Sequence, residues 1–218
     1  SGAELVGVEA RHANLAKADL RGAKLDTAML DEAHGGDAQF QDASLARASV
    51  AGANFTRARF DGAKMAGLVA RQTRFREANL SKASFDGADF EAADLTDALM
   101  PEASCRSCKL VGASLRGADL ERADLSEVVA ERASLLRAQA KGATFDRAVL
   151  RDADLTRLVA SSASMKNAEL SGANLSRAKL ERVDLEGADL WRANLYRANL
   201  SGARLQGARL RMALNLKD

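Results

Sequence analysis

An apolar period of five residues runs through almost the whole chain and constrains its fold more than any other feature. Residues 171–210 divide into the blocks SGANL SRAKL ERVDL EGADL WRANL YRANL SGARL QGARL, each with Ala or Val third and Leu fifth. The same register begins at Ala3 and Leu5. Alanine occupies about 36 of 43 third positions, and Leu or Phe occupies about 31 of 42 fifth positions. Regularity of this kind indicates internal repetition.

This period excludes both an amphipathic helix and a simple strand. Five residues advance an α-helix by about 140° beyond a full turn, so the leucines would spiral around the helix axis. The apolar spacing runs two, three, two, three, which places Ala and Leu on one face of a short extended segment and then requires a corner. Glycine favours such a tight bend, and it often precedes the alanine. Examples are Gly22, Gly52, Gly62, Gly87, Gly112, Gly117 and Gly172. The pattern therefore predicts closed coils of short extended sides, stacked about 4.8 Å apart.

The blocks GADLE, GANLS and RADLS resemble the A(D/N)LxX pattern of the pentapeptide-repeat family over residues 3–213. The resemblance implies an all-β fold, a right-handed quadrilateral parallel β-helix in which four pentapeptides form one square coil. It implies that the third and fifth positions point inward and the other three outward. We expect residues 1–213 to form one domain of about ten coils, about 50 Å long. Residues 211–218, where the register breaks, are expected to form a C-terminal cap or a homodimer contact.

Departures from the repeat predict where packing changes. The larger residue comes first in four pairs, and cores tolerate exchanges that conserve volume. These pairs are Val8/Ala10, Leu68/Ala70, Val128/Ala130 and Leu158/Ala160. Neither Ala138/Ala140 nor Ala33/Gly35 contains a large residue, so we expect loose or distorted packing there. We predict a bulge or hinge at residues 34–36.

The sequence offers little support for catalysis, a metal or another cofactor. Cys105 and Cys108 have the C-x-x-C spacing of zinc and redox sites, but the histidines, His12 and His34, lie far away in sequence. Both cysteines take inward positions, which predicts two small buried hydrophobic side chains. The carboxylates lie at outward positions of a regular wall without a pocket. The position before the leucine is expected to stabilise the repeat through Asp89, Asp94, Asp119, Asp124, Asp154, Asp184 and Asp189.

Charge and hydropathy limit the partners. Thirty-two basic and thirty acidic side chains leave a formal charge of +2, which excludes a uniform field of either sign. Strong nucleic-acid binding is therefore not expected. No run approaches the ~18 apolar residues of a membrane span, and no charged-then-apolar leader opens the sequence. We expect a bacterial protein that is cytoplasmic, or secreted without a cleavable signal.

Residues twenty apart share a wall, and this rule predicts three outward surfaces. Arg137, Arg157, Arg177 and Arg197 should form an arginine column beside Tyr196, suited to anions, with Asp154 compensating part of its charge. An apolar column should contain Met29, Val69, Val129 and Val149, flanked by Val111 and Trp191. Trp191 and Tyr196, each followed by an arginine (Arg192 and Arg197), should lie on successive corners. Aromatic and arginine side chains together are typical of interface hot spots.

Two functions remain open at this point. The first is a non-enzymatic protein–protein interaction scaffold for a protein partner or an adjacent domain. The resemblance suggests that such a scaffold is part of a larger bacterial protein. Type VI secretion accessory proteins and secreted effectors are examples of such proteins in the family. The second is a DNA mimic that binds DNA gyrase or topoisomerase, as in quinolone-resistance members of the family. Mimicry needs a predominantly acidic surface, and the basic bands of this chain argue against it.

Overall fold

The computed structural model describes residues 2–213, which wind into stacked coils of four sides each. Within this range there is no helix and no strand longer than one residue. Each extended side is marked by one residue in parallel bridges with the residues twenty before and twenty after it. The first bridge joins Glu4 to Lys24 and the last joins Asp189 to Arg209. The predicted right-handed quadrilateral β-helix is confirmed. None of these residues belongs to a helix able to span a membrane.

We number the four walls by their first bridging residue: Glu4 (first wall), Glu9 (second), Asn14 (third) and Asp19 (fourth). Each wall takes the third, fourth and fifth residues of its pentapeptides. The corner after a wall has the same number and takes the first and second residues of the next pentapeptides. The third corner therefore contains residues 16–17, 36–37 and so on to 196–197.

Each corner is a hydrogen-bonded turn. The N–H of the third residue donates to the carbonyl of the preceding fifth residue, as from Ala23 to Leu20 at 3.0 Å. The second residue of every pentapeptide has φ between 53° and 72°, a left-handed value that is typical of the type II turn at this place. Glycine holds 14 of these positions and other residues hold 29. A non-glycine residue costs about 1 kcal/mol there, so other interactions must stabilise the turn.

Backbone hydrogen bonds between coils provide that stabilisation. The N–H of Lys24, a fourth-position residue, donates to Ala3 O in the coil before it at 2.9 Å. The second- and fifth-position N–H groups donate to the coil after them, as from Gly7 to Asp26 O at 2.9 Å. Three of the five N–H groups in a pentapeptide thus join neighbouring coils, and a fourth closes the turn.

Fourth-position Asp and Asn side chains satisfy the remaining N–H. Their Oδ1 atoms accept the N–H two residues later, as Asn194 does from Tyr196 at 3.1 Å. All seven aspartates predicted to stabilise the repeat make this bond, at 3.0–3.1 Å: Asp89, Asp94, Asp119, Asp124, Asp154, Asp184 and Asp189. That prediction is confirmed. Where the fourth position is Ser, an aspartate from the coil before can serve instead. Asp86, for example, accepts from Ser104 Oγ at 2.6 Å and Arg106 N–H at 3.0 Å.

The third and fifth positions build the core, as predicted. Their side chains are buried throughout the middle coils, and the inverted pairs at 68/70, 128/130 and 158/160 are buried with them. In the first coil Val8 and Ala10 are only partly buried. The predicted cap or dimer contact at 211–218 lies mostly outside the described residues, of which Ala213 still donates to Leu210 O at 3.0 Å.

The predicted bulge at residues 34–36 is wrong. His34 bridges both Asn14 and Asn54, and Gly35 N–H donates to Asn54 O at 2.8 Å, so the ladder is uninterrupted. The Phe55 ring from the next coil fills the space inside Gly35, where a Cβ would lie 2.4 Å from two ring carbons. The ladder is also regular at Ala138/Ala140, where Ala140 N–H donates to Val159 O at 2.7 Å.

Exchange of Gly35 for Ala tests this packing. The Phe55 ring is held by Phe40, Phe60 and Phe75 at centroid distances of 5.3–5.7 Å, so it has little room to move. We expect Gly35→Ala to lower the free energy of unfolding by about 1–3 kcal/mol, the usual cost of overpacking. Thermal or denaturant unfolding measures the loss.

Gly36→Ala is the matched control, because a Cβ there would meet nothing nearer than Thr56 O at 3.7 Å. Shrinking the neighbour with Phe55→Leu should reduce the additional effect of Gly35→Ala. Equal stabilities of the two alanine variants would contradict the packing explanation.

Asp184 on the first wall combines a turn cap with two ion pairs. Its carboxylate accepts Glu186 N–H at 3.1 Å and lies 3.4 Å from Lys166 Nζ and 3.3 Å from Arg204 Nη1. Burial by itself raises the pKa of Asp184. The Glu186 hydrogen bond and the two cations outweigh this effect, so the pKa of Asp184 lies below its ordinary value.

A lowered pKa predicts loss of stability in acid. The stabilisation from Asp184 is complete above the unfolded-state pKa of about 3.9 and is lost as pH falls through the lower folded-state value. Asp184→Asn keeps the cap oxygen but has no charge to titrate. Between about pH 6 and about pH 3, the melting temperature of the native chain should fall further than that of the variant. Parallel declines, measured by circular dichroism, would show that Asp184 does not contribute in this way.

Candidate interaction site on the third corner

The arginine column lies on the third corner. Arg137, Arg157, Arg177 and Arg197 are the second residues of their pentapeptides in four successive coils, and all four are exposed. Their φ values of 56–62° place each side chain at the same point of the turn. With coils about 4.8 Å apart, the column extends for about 14 Å along the rod. The structure therefore brings together the four arginines that the repeat register predicted.

None of these four guanidinium groups has a carboxylate oxygen within 4.0 Å among residues 2–213. Lower on the same corner, Arg57 forms two hydrogen bonds of 2.9 Å with Asp37. Asp154 was expected to compensate part of the column's charge. Its Oδ1 instead accepts Thr156 N–H at 3.0 Å and caps the turn. The column thus carries four positive charges without an adjacent negative partner.

A shallow groove follows the column. Its lining consists of Leu136, Arg137, Thr156, Arg157, Ser176, Arg177 and Tyr196. The Thr156 and Ser176 hydroxyl oxygens lie 3.5 Å apart on adjacent coils, and both side chains are half-buried. The second-position backbone N–H groups are used by the ladder, as from Arg157 to Ser176 O at 2.9 Å. The groove therefore presents guanidinium and hydroxyl donors from side chains.

The same corner has a second groove closer to the N-terminus. Arg76, Asp94, Thr96, Asp97, Ser114 and Arg116 line it. Thr96 Oγ1 lies 2.9 Å from Ser114 Oγ, so this groove also has a pair of hydroxyls on adjacent coils. Here, however, carboxylates are part of the lining, and Asp94 forms an ion pair with Arg76 at 3.4 Å. The two grooves differ chiefly in charge.

The aromatic residues flank the third wall in the last complete coils. The Arg192 guanidinium lies 4.2 Å from the Trp191 ring centroid on the second corner, and that of Arg197 lies 5.1 Å from the Tyr196 ring centroid on the third. Both rings are about 40% exposed. Tyr196 belongs to the arginine groove. Trp191 instead lines a separate groove with Asp189, Arg209, Leu210 and Arg211.

The predicted apolar column is not continuous. Val129 and Val149 bridge each other on the second wall, but both are half-buried. Asp89 and Lys109 separate them from Val69, which is 37% exposed. Sequence register correctly placed these residues on one wall, but polar residues in the intervening coils divide them into small patches.

Cys105 and Cys108 point inward and are fully buried, as predicted. The prediction of two small hydrophobic side chains is wrong in one respect, because the structure joins them in a disulfide across the first corner, with their Cα atoms 5.4 Å apart. Among the described residues no group of three or more His, Cys, Asp or Glu side chains is arranged to hold a metal ion. The inward positions of the two cysteines did not reveal the disulfide, because its formation depends on how the two adjacent walls meet at the corner.

Models of pentapeptide repeats match most of the sequence. One, described as "Pentapeptide repeats", matches residues 1–33, 88–127, 100–135, 133–172 and 173–211, and a second with the same description matches 51–99. Comparison with curated protein sequences gives no significant match.

Solved structures of pentapeptide-repeat proteins are similar to this one. HetL, a pentapeptide repeat protein involved in heterocyst differentiation regulation from the cyanobacterium Nostoc sp. strain PCC 7120, is 28% identical with a TM-score of 0.78. That match covers 93% of this chain and 89% of HetL. Trypsin-treated QnrB1, a plasmid-mediated fluoroquinolone resistance protein, is 19% identical with a TM-score of 0.68 and coverages of 78% and 86%. At 19% identity, the similarity to QnrB1 shows a shared fold and nothing about function.

The disulfide can be tested by thiol labelling. When the chain is denatured without a reductant, we expect iodoacetamide to leave Cys105 and Cys108 unmodified, and prior reduction should expose both to the reagent. Intact-mass spectrometry measures the outcome. Cys105→Ala provides the control, since its single remaining thiol should react without reduction. Labelling of both cysteines in the unreduced native sequence would show that the bond is absent.

Proposed function

The chain belongs to the pentapeptide-repeat family, and on that premise we propose that it is a non-enzymatic protein–protein interaction scaffold. Its binding surface is the groove that follows the arginine column on the third corner, and its partner contributes an acidic segment. The rigid rod holds the donors of that surface at fixed intervals, so little ordering is needed when the partner binds. The observation that carries the proposal is the arginine column without carboxylate partners.

Charge supports an acidic protein segment as the occupant. Four guanidinium groups over about 14 Å repel one another and gain most from a ligand that brings negative charge. Arginine also binds carboxylates through two parallel hydrogen bonds, which adds geometric specificity. Tyr196 at one end of the groove offers an aromatic surface beside Arg197, a combination enriched in protein interfaces.

Nucleic acid is a weaker candidate for this groove. A formal charge of +2 over the whole chain gives little long-range attraction for a polyanion. Single-stranded nucleic acids also bind through stacked aromatic side chains, whereas this groove contains one tyrosine.

A DNA-mimicking role has less support than the scaffold. DNA mimicry requires a continuous acidic surface, but here many aspartates cap turns and several others pair with arginine. A regulatory role such as that of HetL, which is involved in heterocyst differentiation regulation, agrees better with the scaffold.

Charge reversal in the middle of the column tests the proposal. Arg157→Glu combined with Arg177→Glu should weaken binding of poly-L-glutamate by about tenfold or more, because each charge-assisted hydrogen bond contributes about 1.5–3 kcal/mol. Isothermal titration at low ionic strength, where surface charges are least screened, measures the affinity.

The matched control is Arg122→Glu combined with Arg182→Glu on the fourth corner. These arginines occupy the same position in their pentapeptides and are also exposed, but they are three coils apart. The control changes the net charge equally, so it should retain most of the affinity. Equal losses in the two double variants would indicate a nonspecific charge effect and would contradict the proposed site.

A further inference from the structure

We propose that the middle of the arginine groove is a phosphoryl-binding site, and that the partner segment carries a phosphorylated side chain. This inference rests on the proposed function and names the group that the groove recognises. The site consists of Thr156, Arg157, Ser176 and Arg177 from two adjacent coils. Leu136 and Arg137 adjoin it on one side, and Tyr196 and Arg197 on the other.

The donor set is the first reason for this assignment. Two guanidinium groups and two hydroxyl groups lie within two coils of one corner, about 4.8 Å apart along the rod. The Thr156 and Ser176 hydroxyls are hydrogen-bonded to each other at 3.5 Å, and rotation of their O–H groups toward a bound anion would provide a pair of short donors between the long arginine side chains. A phosphoryl group offers three acceptor oxygens, and arginine binds such oxygens bidentately. A carboxylate has only two oxygens and would leave part of this donor set unused.

The surroundings of the four residues are the second reason. The N–H of Thr156 is bound to Asp154, and that of Ser176 donates to Asn174 Oδ1 at 3.1 Å. Because Asp154 and Asn174 already accept these turn N–H groups, the Thr156 and Ser176 hydroxyls are not required to cap the turns. Asp154 is the neighbouring carboxylate on the third wall, and it forms no ion pair with Arg157 or Arg177 within 4.0 Å. Positive charge thus dominates where the anion would bind.

The second groove of the same corner, lined by Arg76, Asp94, Thr96, Asp97, Ser114 and Arg116 and called the lower groove below, provides an internal comparison. It also contains a threonine, a serine and arginines, although Ser114 lies on the third wall and not on the corner, and Asp94 and Asp97 contribute negative charge. Asp94 already engages Arg76. An anion in that groove would meet repulsion from both carboxylates, so we expect phosphoryl binding only in the arginine groove. Thr96 is consequently a position-matched control for Thr156.

A phosphorylated protein segment fits the groove better than a nucleic-acid backbone does. The favourable region is about 14 Å long on one corner of a rod. Such a region engages one phosphoryl group and a few flanking side chains. It lacks the extended track of cations and stacked aromatic rings that a nucleic-acid strand usually requires.

The experiment compares charge-matched peptides on the full chain. The first probe is a short glycine–serine peptide with one phosphoserine, and the second replaces that residue with two adjacent glutamates. We expect the native chain to bind the phosphopeptide about tenfold more tightly, measured by isothermal titration. Thr156→Val and Ser176→Ala should each reduce this preference and leave the affinity for the glutamate peptide nearly unchanged.

Two further variants keep the result interpretable. Thr96→Val should retain the phosphopeptide preference, because it makes the same chemical change in the lower groove. Thr156→Ser should also retain it, because the hydroxyl remains. The Thr156→Ser comparison still tests the hydroxyl if Thr156→Val proves unable to fold.

The outcomes separate the two proposals. Glutamate-peptide binding without a phosphopeptide preference, or a preference that Thr156→Val and Ser176→Ala leave intact, would overturn the phosphoryl site and leave the scaffold standing. Tighter binding of a single-stranded oligonucleotide than of the phosphopeptide would also overturn it. Failure of poly-L-glutamate and both peptides to bind would count against the proposed function itself.

Discussion

Backbone hydrogen bonds between successive coils hold this rod together and determine the conformation of its turns. They tie each pentapeptide to residues about one coil before and after it, and they extend from Gly2 to the end of the described chain. Because these hydrogen bonds must form in every coil, the second residue of each pentapeptide adopts a left-handed φ, even where it is Arg, Asp or Glu. The local cost of those turns is thus met by contacts that are distant in sequence, and stability is shared between neighbouring coils.

Because backbone hydrogen bonds hold the coils together, the interior and the exterior side chains are constrained differently. The interior accepts exchanges within narrow volume limits, and the Gly35–Phe55 pair shows that these limits apply between coils as well as within one. The exterior bears fewer constraints, apart from the Asp and Asn oxygens that cap the turns. Residues at the corners can therefore vary without loss of the fold. This freedom explains how two grooves on one corner acquire similar hydroxyl groups but different charge.

The register predicted much of the candidate site, because residues twenty apart are stacked in a rod of this kind. From spacing alone it placed Arg137, Arg157, Arg177 and Arg197 on one corner and Tyr196 beside them. It did not reveal the groove or the Thr156–Ser176 pair, because these depend on side-chain positions at the turn. The expected apolar column failed for a related reason: membership of one wall does not make residues adjacent when Asp89 and Lys109 lie between them.

The five-residue period was enough to predict the inward positions and the walls, because a repeat of two and three residues leaves one way to bury Ala and Leu together. Contacts between coils and between walls account for the features that the period did not predict. The Phe55 ring fills the space at Gly35, Cys105 and Cys108 bond across a corner, and Asp154 caps a turn instead of pairing with the arginine column. Each of these outcomes follows from the direction of a side chain within a shared space. Periodicity assigns a residue to a face, whereas only the packed structure determines which neighbour its side chain reaches.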